Sequence, residues 1–224
     1  MEGTLYTVAT PIGNLEDITY RAVRILKEAD IIACEDTREA GKLLAELEIP
    51  ADGRLTSYHA QSADSREDQL MNALAEGKQV ALMSDRGTPG ISDPGSRLIT
   101  RAVEAGVRVV PIPGATAVIT ALQAAGVSTN SFEYMGFIPH KKGRQTLLEK
   151  VAQSGQTVVV YESPHRVLKT LAKLAELCPH KTVVVARELT KMYEEFIRGT
   201  AAEVLAVAQE RGELKGEIVL IVTP

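Results

Sequence analysis

The chain has 224 residues, 45% of them hydrophobic, with a formal net charge of -4 and a sequence pI of about 5.7. This length fits one large globular domain or two small ones. The acidic balance argues against a protein that coats nucleic acid with positive charge, although a local basic patch would still suffice. The sequence has no pattern typical of a signal peptide and no apolar run of membrane-spanning length, so we expect a cytoplasmic protein.

The cysteines and histidines do not suggest a metal site. Cys34 and Cys178 both lie in apolar surroundings, which predicts reduced thiols in the core of a cytosolic protein. The four histidines are scattered, and none has the spacing to a cysteine or another histidine that zinc ligands show. We therefore predict no bound metal.

The first half of the chain alternates predicted strands and helices. Strands are expected at 5–9, 31–34, 55–59, 80–83 and 107–110, with an amphipathic or apolar helix after each. Asp17 is expected to cap the first helix, and Asp64 or Ser65 the third. The alternation predicts an α/β fold with a parallel sheet covered on both faces.

Residues 84–95, called the focal loop below, follow one of these strands and contain glycines, prolines and the carboxylates of Asp85 and Asp93. Ligands of open α/β sheets bind at the carboxyl ends of strands. The loop is neither a P-loop nor a Gly-x-Gly-x-x-Gly motif. Asp93 could simply cap the next helix, but capping does not explain 84–90, so we favour a ligand loop.

Two further loops at strand ends carry unusual residues, 10–15 and 111–116. If the three strands are parallel, their loops meet at one edge of the sheet and can form a single pocket. The segment Asp36-Thr37-Arg38 could bind a hydroxyl and a phosphate, or it could simply cap the following helix.

The second half is predicted to form another α/β unit, with strands at 132–138, 157–161, 182–186, 196–199 and 218–222. We expect domains at 1–114 and 115–224 with no long linker. Charged residues cluster where strands end, which suits a functional site. The alternative is that arginines and glutamates pair to close the end of the sheet. This cluster comprises Glu162, His165, Arg166, Arg187, Glu188 and Lys191.

Residues 140–144 form the densest basic cluster of the chain. A site for nucleic-acid phosphates and an ordinary solvated loop both fit it. Nearby, one of Phe132, Tyr134 and Phe137 could stack on a base, although core or dimer packing is the stronger expectation for these rings. His165 could be a base or a surface histidine.

Six segments, at 8–15, 35–38, 84–95, 111–114, 161–166 and 187–191, occur in an order that resembles the tetrapyrrole methylase family of class III S-adenosylmethionine-dependent methyltransferases. Within that family, the resemblance is to enzymes that methylate ribosomal RNA. It implies two α/β domains with a mostly parallel first sheet, a mixed second sheet and the cofactor in an interdomain cleft. It also implies a homodimer that methylates the ribose 2'-hydroxyl of a cytidine in the decoding region of 16S ribosomal RNA, in the small ribosomal subunit.

The resemblance also implies roles for individual residues. The implied contacts to S-adenosylmethionine are Pro11, Ser84, Asp85, Arg86, Gly87, Pro89, Ile91, Ser92, Thr116, Ala117, Tyr161 and Ala186, with Gly216 and Glu217 near the adenosine. Since a ribose hydroxyl is weakly acidic, a base or a cation beside the alkoxide is desirable. The catalytic candidates are Glu162, His165, Arg187 and Glu188, with Asp36 and Arg38 as further possibilities. The expected RNA contacts are Arg38, Lys141, Lys142, Arg144 and Arg166.

The sequence departs from the family pattern at three places. Arg86 stands where a small residue is usual, so we predict that its guanidinium points away from the sulfonium. Residues 60–62 lack the usual His, Asn and Glu, and the sequence stops at Pro224 where many members continue. The rival functions are a tetrapyrrole C-methyltransferase of the same fold and a non-catalytic RNA-binding module in ribosome assembly.

Overall fold

A computed structural model describes residues 3–59, 63–93, 95–212 and 214–224. The chain divides into two compact units, Met1–Thr116 and Ala117–Pro224. Each unit contains one five-stranded sheet with helices packed on it. Within the described residues, every helix is too short or too polar to traverse a bilayer.

The sheet of the first unit is parallel throughout, with strand order β3-β2-β4-β1-β5. This confirms the parallel sheet predicted from the alternating pattern. The strands are β1 (Thr4–Val8), β2 (Ile31–Cys34), β3 (Leu55–Ser57), β4 (Gln79–Met83) and β5 (Arg108–Ile112). The helices are α1 (Tyr20–Glu28), α2 (Thr37–Glu46), α3 (Ala63–Ala75) and α4 (Ser96–Glu104).

The helices of the first unit cover opposite faces of the sheet. Leu26 of α1 and Leu44 of α2 belong to one apolar core, whereas Leu74 of α3 and Leu98 of α4 belong to another. The chain therefore leaves the neighbouring strands β1 and β4 toward different faces. A crevice opens where adjacent loops diverge in this way, and such a crevice is the usual ligand site of open α/β sheets.

A buried glutamate ties α3 to α4, the helix that follows the focal loop. The side chain of Glu67 lies in the core and accepts hydrogen bonds from Tyr58 at 2.8 Å and Arg101 at 3.0 Å. Arg97 adds an ion pair at 3.1 Å. A buried carboxylate needs such partners, and here they fix the start of α4 relative to the sheet.

The caps predicted for α1 and α3 are wrong, and so is the alternative in which Asp93 caps α4. Thr19, not Asp17, caps α1, since its hydroxyl accepts a hydrogen bond from the amide of Ala22 at 3.1 Å. Asp93 does not cap α4, which begins after Gly95 without a side-chain cap. Helix α3 already begins at Ala63, so residues 64 and 65 lie inside it. In each case a turn or an extra helical residue shifts the boundary by a few positions.

The second unit has a mixed sheet of strand order β6-β7-β10-β8-β9, as predicted. Its strands are β6 (Phe132–Phe137), β7 (Thr157–Glu162), β8 (Thr182–Arg187), β9 (Glu195–Thr200) and β10 (Ile218–Val222). Its helices are α5 (Ala117–Ala125), α6 (Arg144–Gln153), α7 (Val167–Leu177) and α8 (Ala201–Glu210).

Strand directions in the second unit bring its charged residues together. β6 and β7 are parallel, and β10 is antiparallel to both β7 and β8. β9 is antiparallel to β8. The carboxyl ends of β6, β7 and β8 therefore share one edge with the amino ends of β9 and β10. We call this the charged edge, because it carries 140–144, 162–166, 187–191 and 215–217.

Candidate functional site

The first strand-end loop is fastened to the focal loop through Thr10. The amide of Thr10 donates to the carbonyl of Gly87 at 2.9 Å, and the amide of Gly87 donates back at 3.1 Å. The buried hydroxyl of Thr10 also donates to the carbonyl of Ser84 at 3.1 Å. The third loop joins them, since the hydroxyl of Thr88 donates to the carbonyl of Ala115 at 3.2 Å. The three loops predicted to share one edge therefore form one bonded assembly.

Ser84 places an unused hydroxyl at the start of the focal loop. The residue is buried, and its Oγ makes no hydrogen bond within the described part of the chain. A buried polar atom without a partner is unfavourable and usually indicates a missing ligand or water. Ser84 is therefore the side chain of the first unit that most clearly requires a bound partner.

Burial raises the pKa of Asp93 to about 6, and the nearby charges of Glu35 and Asp85 act in the same direction. The proximity of the Ser84 hydroxyl opposes this rise, although the two groups are not in hydrogen-bond geometry. Such a carboxyl group would be stabilised in its ionised form by a cation. Asp93 therefore marks a position that favours a positively charged ligand.

Asp85 links the focal loop to the loop after β2. Its carboxylate accepts a hydrogen bond from the amide of Asp36 at 3.1 Å. Asp36 caps α2, and its carboxylate accepts hydrogen bonds from Nε and Nη2 of Arg38. This pairing with Arg38 holds the pKa of Asp36 well below its usual range. Of the two roles considered for this segment, the structure therefore shows the cap. Arg38, an expected RNA contact, is exposed but engaged by Asp36.

Cys34, at the end of β2, has a buried thiol that is not suited to react as a thiolate. Burial, reinforced by the charges of Asp85 and Asp36, raises the pKa of Cys34 to about 12. Burial also raises the pKa of Cys178. Both cysteines are free and buried, as the sequence predicted.

The expected cofactor contacts differ in exposure. Arg86 is exposed, next to the buried Gly87, whose φ of 84° is strained for any other residue. Ala117, Tyr161 and Ala186 belong to the second unit. The other assignments divide into buried residues (Ser84, Pro89, Ala186), half-buried ones (Pro11, Asp85, Thr116, Ala117, Tyr161) and exposed ones (Ile91, Ser92).

In the second unit, Glu162 lies at the centre of a buried network. Its carboxylate accepts hydrogen bonds from Arg144 at 2.9 Å, Thr170 at 2.5 Å and the amide of Ser163 at 2.7 Å. Arg166 completes the network with an ion pair at 2.8 Å. The network ties the end of β7 to the helices α6 and α7. It engages the polar groups of Glu162, which was a catalytic candidate, and of Arg144 and Arg166, which were expected RNA contacts.

Arg187 is likewise engaged inside the protein. Its Nε and Nη2 donate to the carbonyl of Lys215 at 3.1 and 2.9 Å. Its Nη1 donates to the carbonyl of Tyr193 at 3.4 Å and to Glu195 at 3.2 Å. Arg187 therefore joins the turn before β10 to the loop between β8 and β9.

Glu188 accepts hydrogen bonds from Lys191 at 2.8 Å and from the amide of Glu217 at 2.9 Å. The bond from Lys191 is the main reason that the pKa of Glu188 lies below its usual range. Lys191 also contacts the carboxylate of Glu217 at 3.0 Å. A carboxylate that is stabilised in this way is a weak proton acceptor.

The exposed cations of the charged edge are lysines. Lys141 and Lys142 are exposed and form no ion pair within the described part of the chain, whereas Arg144 faces Glu162. His165 is exposed at the same edge. Of the aromatic residues in β6, Tyr134 and Phe137 pack edge-on against Tyr161, at 5.2 and 5.0 Å between ring centres.

Sequence reasoning missed Thr10, Thr170 and Lys215 as parts of these assemblies. Thr10 lies in the loop 10–15, but its contact with Gly87, 77 residues away, cannot be predicted from a local sequence pattern. Thr170 occupies an ordinary position within a helix. No group of His, Cys, Asp or Glu among the described residues is arranged to hold a metal ion.

A sequence model of the Tetrapyrrole (Corrin/Porphyrin) Methylases matches residues 4–205. The chain belongs to this family. The family predicted from the six ordered segments is therefore confirmed, and with it the assignment to the methyltransferases.

Several curated relatives carry the name ribosomal RNA small subunit methyltransferase I. The protein of Halalkalibacterium halodurans is 49% identical over 222 residues, which cover 99% of this chain and 76% of that protein. That of Escherichia coli O157:H7 is 46% identical over 224 residues, covering 99% and 78%. That of Bacillus subtilis is 45% identical over 223 residues, covering 98% and 75%.

Solved structures share the fold at low sequence identity. Diphthine synthase superposes with a TM-score of 0.75 at 13% identity, covering 99% of this chain and 90% of that chain. Uroporphyrin-III C-methyl transferase from Thermus thermophilus, complexed with S-adenyl homocysteine, gives 0.66 at 20% identity, covering 100% and 97%. At these identities the likeness concerns the fold alone.

Proposed function

We propose that this protein transfers a methyl group from S-adenosylmethionine to the ribose 2'-hydroxyl of a cytidine in the decoding region of 16S ribosomal RNA. The main support is the 43–49% identity, over nearly the whole chain, to relatives named as small subunit ribosomal RNA methyltransferases. We also propose a cytoplasmic homodimer, since the small ribosomal subunit is made there and the resemblance implies a dimer.

The first unit suits S-adenosylmethionine. This ligand has a cationic sulfonium, an ammonium group and two ribose hydroxyls, which need carboxylates and hydroxyls as partners. The unpartnered hydroxyl of Ser84 and the carboxylates of Asp85 and Asp93 offer such groups beside the β1–β4 crevice. When bound, the cofactor supplies an electrophilic methyl group. Pro11, Gly87, Pro89 and Thr116 would shape the surrounding wall, and Arg86 would contribute backbone only.

The geometry ranks the catalytic candidates. Glu162 and Arg187 use their polar atoms inside the second unit, and the lowered pKa of Glu188 makes it a poor base. We therefore propose His165, which is exposed at the charged edge, as the group that accepts the proton of the ribose hydroxyl. Lys141 and Lys142 would bind RNA phosphates, and Glu162 would hold Arg144 and Arg166 in place.

The proposal is tested by methyl transfer from labelled S-adenosylmethionine to small ribosomal subunits and to naked 16S RNA, with mapping of the methylated nucleotide. We expect a labelled ribose 2'-oxygen on a cytidine, and a loss of at least 100-fold in kcat for His165→Ala. Label on a base or on a tetrapyrrole, instead of on the ribose, would refute the proposed reaction. If calorimetry detects no binding of S-adenosylmethionine, the RNA-binding module becomes the better explanation.

A further inference from the structure

Two large side chains are exposed at the tip of the loop between β8 and β9. Met192 is 89% exposed and Tyr193 is 70% exposed. Burying such apolar surface is favourable, so exposed side chains of this size next to each other suggest contact with a partner.

The loop that carries these side chains is held firmly. Its carbonyl at Tyr193 is bound by Arg187, and Lys191 is bound by Glu188 and Glu217. The amide of Thr190 donates to the carboxylate of Glu194 at 2.6 Å. A fixed loop loses little conformational entropy when it binds, so this loop is suited to recognition.

The loop also contains strained backbone. Glu188 and Thr190 have φ values of 50° and 67°, in the left-handed region that residues with a side chain rarely adopt. A Cβ on the facing Gly216 would lie 2.4 Å from the side chain of Glu188, so any larger residue there has to displace that side chain. Strain of this kind persists where the surrounding structure enforces it, commonly in segments that bind ligands.

Lys215 lies beside Tyr193, because a single guanidinium, that of Arg187, binds the carbonyls of both residues. The side chain of Lys215 is exposed and forms no ion pair within the described residues. Lys141 and Lys142 lie on the same charged edge, after β6, three strand spacings or roughly 14 Å from β8. An exposed ring is thus accompanied by unpaired positive charge along one edge of the sheet.

We propose that Tyr193 and Lys215 form a contact site for single-stranded RNA. The ring of Tyr193 stacks on an unpaired base, Met192 packs beside that base, and Lys215 binds a neighbouring phosphate. Aromatic rings interspersed with cations are the usual surface for single-stranded nucleic acid. The unpaired lysines favour a polyanion over an apolar protein partner. This inference rests on the proposed function, since it assigns the substrate RNA to this edge.

Fluorescence anisotropy with a labelled single-stranded RNA oligonucleotide tests the stacking contact. Tyr193→Phe keeps the ring and should bind like the parent protein. Tyr193→Leu keeps apolar bulk without a ring and should raise Kd roughly fivefold or more. Tyr20→Leu removes a ring that is 99% exposed at the start of α1 in the first unit and should leave Kd unchanged.

The phosphate contact is tested by a salt titration of the same binding reaction. Lys215→Gln should lower the slope of log Kd against log salt by about 0.7, the value for one phosphate of a single strand. Lys27→Gln removes an exposed lysine from the last turn of α1 in the first unit and should not change the slope.

The inference is refuted if Tyr193→Leu and Lys215→Gln both bind RNA like the parent protein. It is also refuted if Tyr193→Leu alters the molecular mass in sedimentation, because the loop is then an interface between copies of the chain. The binding assay does not depend on methyl transfer. A parent protein that binds RNA through Tyr193 but transfers no methyl group would refute the proposed function and support this contact.

Discussion

The guanidinium of Arg144 donates a hydrogen bond of 2.9 Å to the buried carboxylate of Glu162. The sequence suggested separate roles for these residues, one in RNA binding and one in catalysis. Their pairing favours the alternative that was considered for the end of this sheet, in which arginines and glutamates close it. The same relation makes Glu162 important for folding, since it also binds Arg166 and Thr170.

Glu162→Gln should lower the free energy of unfolding by about 3 kcal/mol, because it removes one charge from a buried ionic network and leaves the arginines uncompensated. Urea denaturation of the parent and variant proteins measures this. Glu176→Gln is the matched control, since Glu176 forms an exposed pair with Lys173 and should change stability by less than about 0.5 kcal/mol. Equal stabilities of the two variants would contradict a structural role for Glu162.

Ser84→Ala should separate ligand binding from stability. The Ser84 hydroxyl makes no hydrogen bond within the described residues, so its removal should leave the free energy of unfolding unchanged or slightly higher. The affinity for S-adenosylmethionine should fall roughly fivefold to tenfold, as expected for one lost hydrogen bond. Calorimetry and urea denaturation provide the two measurements.

Thr157→Val is the control for Ser84, because the buried hydroxyl of Thr157 donates to the carbonyl of Ser128 at 2.8 Å. This variant should lose about 1 kcal/mol of stability and keep its cofactor affinity. If Ser84→Ala instead lost stability and kept its affinity, Ser84 would be part of the scaffold.

Asp93→Asn should stabilise the protein at pH 7 more than at pH 4. The folded pKa of about 6 exceeds the ordinary value of 3.8, so the unfolded chain releases the proton first as pH rises. The contribution of Asp93 to stability therefore falls between about pH 4 and pH 6 and stays low above that range. The amide does not titrate and avoids this loss.

Thermal unfolding of parent and variant at both pH values measures the effect of Asp93. Thr157→Val, which removes no titrating group, is the control and should shift the melting temperature equally at pH 4 and pH 7. A shift for Asp93→Asn that is independent of pH would show that burial does not raise the pKa of this group.

Gly216→Ala and Gly212→Ala test the strained loop as a pair. Both glycines have a positive φ, 97° and 82°, so either substitution should cost about 1 kcal/mol through the backbone alone. A Cβ at 212 meets nothing within 4 Å, whereas one at 216 collides with Glu188. Gly216→Ala should therefore be clearly less stable in urea denaturation, and should also weaken RNA binding. Equal losses would mean that Glu188 moves aside freely.

Much of the fold could be predicted from the sequence, because apolar runs and turn residues report directly on strands and loops. β10 was predicted at its observed boundaries, and the parallel and mixed sheets were both expected. Helix starts were harder, as Asp17 and Asp93 show, because several neighbouring polar residues can cap and only the local turn decides between them.

The candidate site was predictable as a set of loops but not as a set of side-chain roles. Clusters of charged residues at strand ends indicate the position of a candidate site. A sequence does not distinguish a glutamate that takes part in catalysis from one that pairs with an arginine inside the protein. The hydrogen bonds from Arg144 to Glu162 and from Arg187 to Glu195 and Lys215 join residues 8 to 28 positions apart. The site assignments therefore stay predictions, and the proposed experiments decide them.

The pairing of β1 has a consequence for the order of events during protein synthesis. Thr4 pairs with Gln79 on one side and with Arg108 on the other. β1 therefore has no neighbouring strand in its sheet until β4 has left the ribosome, and it gains its second neighbour only with β5. Contacts so distant along the chain form slowly. We conclude that the loops after β1 and β4 are assembled together, late, and that a nascent chain ending before β4 has no crevice.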